Sequence, residues 1–300
     1  MGKSKSNNKV GQSPSPTPPK DELPLVVVLP GDDVTDRILP PSSDSSTTTT
    51  TTTKKPKLGV GLSYNPTTHR IQATLAGKLR QHRNNKAFFV QQNTKRYVPA
   101  LEDRVVVVVE DRIGSDGVGG DLYRVNMGGP HPALMSSLAF EGASKRNKPQ
   151  FAPGTLLYAR VATLYRNGMM DPVLSCQNGP HDLGIAPKDW MTNEGTYGEL
   201  KGGTMARVSL GLARELLRPS TNVVLDELAQ PQYKLAFELA VGVNGFVWVH
   251  STRPEYTILI HNAIRNSEVL TPPQVRAMVQ SLVFTVQKQI QQNADREEDV

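Results

Sequence analysis

The sequence predicts a mainly β protein with an α+β part at its C-terminal end. Residues 96–176 contain five short apolar strands separated by Gly- and Pro-rich turns, with no strong helix among them. This pattern is typical of a small closed barrel. Further short strands precede this segment, and two helices follow it. We therefore predict a small N-terminal β domain, a five-stranded barrel and a C-terminal α+β domain.

Composition narrows the class of protein. A chain of 300 residues is too long for one small barrel, and 37% hydrophobic with 21% charged residues fits a protein with a substantial core. No apolar run is long enough to span a membrane, and no apolar segment follows the N-terminal lysines as a secretory signal requires. The single cysteine, Cys176, excludes an internal disulfide and a cysteine-based zinc site. A net charge of +6 favours a polyanionic partner without requiring one.

The first 95 residues divide into a tail and a β domain. Residues 1–21 contain almost nothing to bury and are predicted to be a disordered tail. Residues 22–95 form the β domain, which begins with a buried strand at 25–32. A low-complexity stretch at 40–55 holds seven consecutive threonines and is predicted to be a disordered insertion. The remaining strands of this domain are expected at residues 58–62, 71–79 and 87–90.

The barrel begins with an unbroken apolar strand at 105–109, and a loop rich in Gly and Asp follows at 111–120. The next strand, 122–127, alternates apolar and polar residues, so Tyr123 and Arg124 point to opposite faces. The apolar neighbours of Tyr123 favour a core position over stacking against a base of a nucleic acid. The other barrel strands are expected at residues 133–134, 156–164 and 172–176.

The C-terminal segment has helix and hairpin signals. Residues 177–199 are turn-rich, and Asn222 is a plausible N-cap for a short helix. Two apolar strands flank the sequence Gly-Val-Asn-Gly at 242–245, which predicts a hairpin. Residues 291–300 are expected to be an acidic tail. The other predicted elements are a strand at 204–208 and helices at 210–217, 254–266 and 271–289.

A basic loop lies between the third and fourth barrel strands. It consists of Lys145, Arg146, Asn147 and Lys148. Three interpretations stay open for it. The loop can neutralise phosphates of a single-stranded nucleic acid, since barrels of this kind often bind oligonucleotides with their loops. It can also be a solvated turn, or be clamped against a protein neighbour through Arg146.

The first barrel loop is a weaker candidate for phosphate binding. Arg112, Ser115 and the loop glycines can approach a phosphate closely, whereas Asp111, Asp116 and Asp121 would oppose it.

Catalytic patterns are missing from the sequence. The six histidines show no HExxH motif or paired metal spacing, and the neighbouring carboxylates at 32–33 and 226–227 cannot share a two-metal site. We expect no catalytic residue, metal site or cofactor.

Three sequences together resemble one family: Arg-Tyr-Val-Pro at 96–99, Phe-Glu-Gly-Ala-Ser-Lys-Arg-Asn at 140–147, and Gly-Val-Asn-Gly-Phe-Val-Trp-Val at 242–249. The family is that of ribosomal RNA-processing protein 40, or exosome component three, a cap subunit of the eukaryotic RNA exosome. The resemblance implies an S1-type OB barrel at 96–178 and a KH domain at 179–290. It also implies a non-catalytic subunit that stabilises a ring of RNase PH-like subunits, contacts the other cap subunits and guides single-stranded RNA into the channel.

The residues expected to contact RNA follow from charge and position, and the resemblance places the first barrel loop, residues 112–120, at the channel entrance. RNA contacts are expected from the two loops and the strand between them: Arg112, Ser115, Arg124, Lys145, Arg146, Asn147 and Lys148. The GxNG signature, with Gly242, Asn244 and Gly245, lies between strands rather than helices, so we interpret it as a structural turn, with Trp248 packed against a neighbouring domain. Location in the nucleus and nucleolus, and also in the cytoplasm, is implied.

Two alternatives remain. The sibling cap subunit shares the same three-domain plan, and a free-standing RNA-binding regulator can use the same barrel. A stand-alone binder should have a more basic and more aromatic surface than a chain with 6% aromatic residues offers.

Overall fold

The computed structural model describes residues 26–39, 57–82, 87–92, 94–165, 170–180, 182, 184, 186–192, 194–218 and 222–298. The predicted tail at 1–21 and the Thr-rich insertion at 40–55 lie outside these residues. The chain divides into two compact units, Met1–Asn93 and Thr94–Val300. Within the described ranges, no helix combines the length and apolarity that crossing a membrane requires.

The described part of the N-terminal unit consists of six short strands and one helical turn. In chain order its elements are β1 (Val26–Val28), α1 (Thr35–Ile38), β2 (Lys57–Leu58), β3 (Leu62–Asn65), β4 (Arg70–Ala73), β5 (Gly77–Gln81) and β6 (Ala87–Gln91). Four strands form a sheet in the order β1-β5-β6-β2, and β3 pairs with β4. The alternating burial of β4 and β6 places Ile71, Phe88 and Val90 in the core of this unit.

Three predictions for this unit were wrong in detail. The strand expected at 58–62 is interrupted by a turn at 60–61, between β2 and β3. The first strand is not buried throughout, because β1 lies at the edge of its sheet and Val27 is 64% exposed. The single strand expected at 71–79 is two strands, β4 and β5, which belong to different sheets.

The second unit begins with a closed barrel. Its strands are β7 (Arg104–Ser115), β8 (Asp121–Asn126), β9 (Ala133–Phe140), β10 (Leu156–Thr163) and β11 (Val173–Cys176). The sheet order β11-β9-β8-β7-β10 closes because β10 also pairs with β11. All barrel pairings are antiparallel except that of β9 with β11. The mainly β fold with a five-stranded OB-type barrel is therefore confirmed.

The unbroken apolar run in β7 reflects burial on both faces of the strand. Val105, Val107 and Val109 belong to the barrel core. Val106 is also fully buried, and its backbone is hydrogen-bonded to Asn244 of the C-terminal domain. A strand covered on both sides has no reason to alternate apolar and polar residues.

Two barrel strands, β7 and β9, are longer than the sequence indicated. β7 continues through Ser115 with two register irregularities, between Val109 and Asp111 and between Arg112 and Gly114. Arg112 and Ser115 therefore lie on a bulged strand, and the loop is only residues 116–120. Ala133 and Leu134 begin a strand that extends to Phe140.

The C-terminal domain has helices packed on a three-stranded sheet. A short strand, β12 (Gly198–Glu199), first pairs with β10 of the barrel. The remaining elements are β13 (Thr204–Arg207), α2 (Leu210–Leu216), α3 (Val223–Leu228), a 3-10 turn (Pro231–Tyr233), β14 (Phe237–Val241), β15 (Phe246–Ser251), α4 (Pro254–Ser267) and α5 (Pro272–Glu298). The sheet order is β13-β15-β14. This is the predicted α+β architecture.

Helix boundaries follow local hydrogen bonds. Ser209 caps α2 by accepting a bond from the Leu212 amide, and Asn222 caps α3 by accepting one from the Leu225 amide, as predicted for Asn222. α5 extends to Glu298, beyond the helix end predicted at 289, so most residues of the predicted acidic tail at 291–300 are helical.

Candidate nucleic-acid interface

The loop between β7 and β8 is organised around the carboxylate of Asp116. One carboxylate oxygen accepts hydrogen bonds from the backbone amides of Val118 at 2.8 Å, Gly119 at 3.0 Å and Gly120 at 2.8 Å. The other oxygen accepts a bond from the Ser136 hydroxyl. These amides form the kind of concave anion site that binds phosphate elsewhere. Here the site already holds an anion from the chain itself.

This arrangement corrects the expectation that the loop glycines approach a phosphate. The Ser136 hydroxyl and the three backbone amides lower the pKa of Asp116 to about 2. Asp116 is therefore ionised at neutral pH and occupies the amides continuously. The sequence indicates only that Asp116 would repel a phosphate. It does not reveal that the Asp116 carboxylate itself binds the backbone amides of the loop.

The carboxylate of Asp121 forms ion pairs with two of the residues predicted to contact RNA. Asp121 is buried, and its carboxylate lies between the guanidinium of Arg112 and the ammonium of Lys148, the latter at 3.3 Å. Lys148 also donates a hydrogen bond of 2.9 Å to the Gly119 carbonyl, and its side chain is only 20% exposed. Lys148 therefore supports the loop, whereas the Arg112 side chain remains 62% exposed.

Ser115 and Arg124 are placed differently from each other. The Ser115 hydroxyl oxygen accepts a bond of 3.3 Å from the Gly117 amide at the start of the loop. Arg124 is exposed on β8, opposite Asp111 on the neighbouring strand. Tyr123 is buried on the other face, where its hydroxyl accepts a bond from the Phe151 amide, so the predicted core position of Tyr123 is confirmed.

The basic loop is a tight turn. The Ser144 amide donates to the Asn147 carbonyl at 2.8 Å, and the Asn147 amide donates to the Ser144 hydroxyl at 3.1 Å. Lys145 and Arg146 lie at the tip, where both are exposed, and make no ion pair with any residue that the structure describes. The Asn147 side chain instead donates to the Met191 sulfur at 3.2 Å.

The turn and the loop are neighbours in space. A Cβ atom built on Gly119 would lie 3.1 Å from the side-chain carbons of Lys145, so the stem of Lys145 packs over the loop backbone. Residues 112–121 and 144–148 together carry four cationic side chains and two inward-facing carboxylates. The exposed surplus of positive charge is therefore concentrated at Lys145 and Arg146. Such a surface suits a phosphate backbone.

The GxNG turn connects the C-terminal domain to the barrel. The buried Asn244 side chain donates to the carbonyls of Val106 at 2.7 Å and Met127 at 2.8 Å, and accepts a bond from the Val106 amide at 3.3 Å. A side chain at Gly242 would place a Cβ atom 2.6 Å from the Val106 nitrogen. Glycine at this position allows the close approach of the two backbones.

The hydrogen bond and the ring contact of Trp248 lie within the C-terminal domain, and its packing against a neighbouring domain stays a prediction. Its ring N–H donates to the Gly202 carbonyl at 2.9 Å, and its ring stacks on His250 with centroids 6.0 Å apart. Asn244 is the residue of this motif whose side chain bonds to the barrel.

A polar network around the buried Asp182, which the sequence did not reveal, links the segment after the barrel to strand β7. The carboxylate of Asp182 accepts bonds from Arg104 at 2.6 Å, the Tyr197 hydroxyl at 3.1 Å and the Gly179 amide at 2.8 Å. Burial opposes ionisation of Asp182, but these donors outweigh it and lower the pKa. Arg104 and Asp182 are 78 residues apart in the sequence, so no local sequence pattern predicts the network.

Among the described residues, no group of three or more His, Cys, Asp or Glu side chains is arranged to hold a metal ion. Cys176 is buried in the barrel, and burial raises the pKa of its thiol well above the usual range.

A closed barrel with an exposed basic turn, joined to a small α+β domain, defines a protein of the RNA-binding class with S1-type and KH-type domains. The family model described as "Exosome complex component RRP40, S1 domain" matches residues 97–183, and one described as "KH domain" matches residues 203–255. The chain belongs to the exosome complex component RRP40 family, as its relatives show.

Three curated relatives carry that assignment. Exosome complex component rrp40 of Schizosaccharomyces pombe is 35% identical over 72% of this chain and 81% of its own length. Putative exosome complex component rrp40 of Dictyostelium discoideum is 32% identical over 75% of this chain and 84% of its own. Exosome complex component RRP40 of Drosophila melanogaster is 36% identical over 70% of this chain and 80% of its own length. A solved structure titled "Crystal structure of putative exosome complex RNA-binding protein" aligns with a TM-score of 0.45 at 15% identity, over 64% of this chain and 98% of that one.

Proposed function

We propose that this protein is a non-catalytic cap subunit of the RNA exosome that stabilises a ring of RNase PH-like subunits, contacts the other caps and guides single-stranded RNA into the channel for 3'–5' processing and decay. Membership of the RRP40 family supports assembly into the exosome and favours this cap subunit over its sibling. The domain bounds 22–95, 96–178 and 179–290 belong to the same proposal. So does location in the nucleus, nucleolus and cytoplasm.

The observation that carries the RNA-binding role is the exposed pair Lys145 and Arg146 at the tip of its turn. Both are cations without an ion-pair partner among the described residues. Arg112 and Arg124 are exposed on the neighbouring strands and can extend the contact. The amides of the 116–120 loop are already bonded, so the RNA backbone passes beside that loop rather than into it.

We expect a Lys145→Ala/Arg146→Ala variant to bind fluorescent oligouridylate about tenfold more weakly at low salt, because two phosphate contacts are lost. The slope of log affinity against log salt should become shallower by about 1.4, at about 0.7 per contact for single strands. Lys148 is left unchanged because its removal would leave the buried Asp121 poorly paired.

The matched control removes two exposed arginines from the C-terminal helices, Arg265→Ala/Arg276→Ala. This variant has the same net charge as the test variant. Equal loss of affinity in both would show that only total charge matters. Unchanged binding in the test variant would favour the solvated turn or a protein neighbour for Lys145 and Arg146.

The absence of catalysis has its own test. The purified chain should not shorten oligouridylate in the presence of Mg²⁺ or Mn²⁺. Cleavage that co-purifies with the protein and disappears in one carboxylate variant would contradict this part of the proposal.

A further inference from the structure

A groove separate from the basic turn lies along β14. It has a volume of about 680 Å³ and is lined on one side by four consecutive residues of β14, from Glu238 to Val241. Leu216 at the end of α2 and Leu225 of α3 line the opposite side. Tyr158 of the barrel and Trp248 of β15 also line it. The volume falls within the range, about 300–1,000 Å³, that is usual for ligand-binding clefts.

The wall formed by β14 is the open edge of a sheet. In the order β13-β15-β14, β14 is the last strand, and among the described strands it pairs only with β15. The Gly242 amide bonds to the Phe246 carbonyl, so the antiparallel alternation makes Ala240 opposite Trp248 a bonded pair. The intervening residues, Leu239 and Val241, therefore direct their backbone groups toward the groove.

These edge groups are largely free. The Val241 carbonyl accepts one long bond, 3.4 Å, from the Tyr158 hydroxyl. No hydrogen bond among the described residues engages the Leu239 backbone on this side. An open strand edge beside an apolar groove is the arrangement by which folded domains add a strand from a partner peptide.

The charge of the groove indicates which partner fits. Among the described residues that line it, Asp226 and Glu238 carry exposed carboxylates, and none is Lys or Arg. A smaller adjoining cleft of about 180 Å³ adds Glu199 and Lys201. Two carboxylates repel a phosphate backbone, whereas they attract the side chains of Lys or Arg.

We propose that the groove beside β14 is a docking site for an extended, basic and aliphatic segment of a protein partner, which adds to the sheet as a fourth strand. Backbone bonds to Leu239 and Val241 hold the segment in register. Alternate aliphatic side chains lie against Leu216 and Leu225, and basic side chains lie near Asp226 and Glu238. The proposal goes beyond RNA binding and does not depend on the basic turn.

The test uses the full chain and a fluorescent heptapeptide of alternating Val and Lys with blocked ends. Peptide binding should slow hydrogen exchange of the Leu239 amide, which faces the groove. The Ala240 amide, already bonded within the sheet, should not change. A peptide of the same charge with Pro in place of every Val should bind more weakly, because Pro removes every second backbone donor.

Charge variants separate docking from general attraction. An Asp226→Asn/Glu238→Gln variant should bind the Val-Lys peptide about tenfold more weakly. The matched control, Glu255→Gln/Glu268→Gln, neutralises two exposed carboxylates, one in the first turn of α4 and one at its C-cap. This control should bind the peptide like the unaltered chain. Equal weakening in both variants, or no protection of the Leu239 amide, would overturn the proposal. Protection of that amide by oligouridylate would assign the groove to RNA instead.

Discussion

At the scale of single residues, two aspartates determine which groups remain available at the barrel surface. Asp116 uses its carboxylate to bind the loop amides, and Asp121 pairs with Arg112 and Lys148. The sequence shows the charges of these residues but not the direction of their side chains. As a result, the cations Lys145 and Arg146 could be predicted from sequence, whereas the supporting role of Lys148 could not.

The Asp116 arrangement predicts a pH dependence. The folded-state pKa of about 2 lies below the ordinary value of 3.8, so the stabilisation is complete above about pH 4 and is lost as the pH falls toward 2. At neutral pH an Asp116→Asn variant should loosen the loop by about 1 kcal/mol, because charge-assisted bonds become neutral ones. Hydrogen exchange of the Gly119 and Gly120 amides measures this effect.

The difference between Asp116→Asn and the unaltered chain should shrink between pH 4 and pH 2. Asp111→Asn serves as the control, since it removes an exposed carboxylate from the adjoining strand without touching the loop amides. A difference that stays constant across this range would show that the carboxylate charge does not hold the loop.

At the scale of elements, the turn at 242–245 both reverses the chain and meets the barrel. Gly245 has a φ of +82°, and a Cβ atom there would lie 2.7 Å from the Val208 carbonyl oxygen. The Asn-Gly signal predicted the hairpin correctly because it is local. The bonds between Asn244 and Val106 span 138 residues, and no local pattern reveals them. Likewise, Gly114 and the polar residues around it resemble a loop, although pairing with β8 extends β7 through them.

We expect Gly245→Ala to destabilise the unit of residues 94–300 by about 2 kcal/mol or more, since it adds a steric clash to the cost of a positive φ. Gly154 is a suitable control in the same unit, with a φ of +91° and no atom within 4 Å of a built Cβ. Gly154→Ala should therefore cost only about 1 kcal/mol. Denaturant unfolding of both variants provides the comparison, and equal losses would mean that the clash is relieved without cost.

At the scale of the whole molecule, the order of β domain, barrel and α+β domain was predictable. Strand periodicity and turn residues, which indicate these parts, are short-range features of the sequence. The joining of barrel and C-terminal domain into one compact unit was not predictable, since it depends on Asn244 and on a β7 strand buried on both faces. The continuous valine run was the one sequence signal of that contact. It indicates two-sided burial before the covering domain is known.

The most direct test of the proposed role is affinity purification of the tagged, full-length protein from its own cells, with quantitative mass spectrometry of the proteins that accompany it. We predict six RNase PH-like subunits and two further cap subunits in amounts close to that of the tagged chain. Recovery of RNA with the tagged chain alone, and no ring subunits, would contradict the assignment and make the protein a free-standing RNA binder.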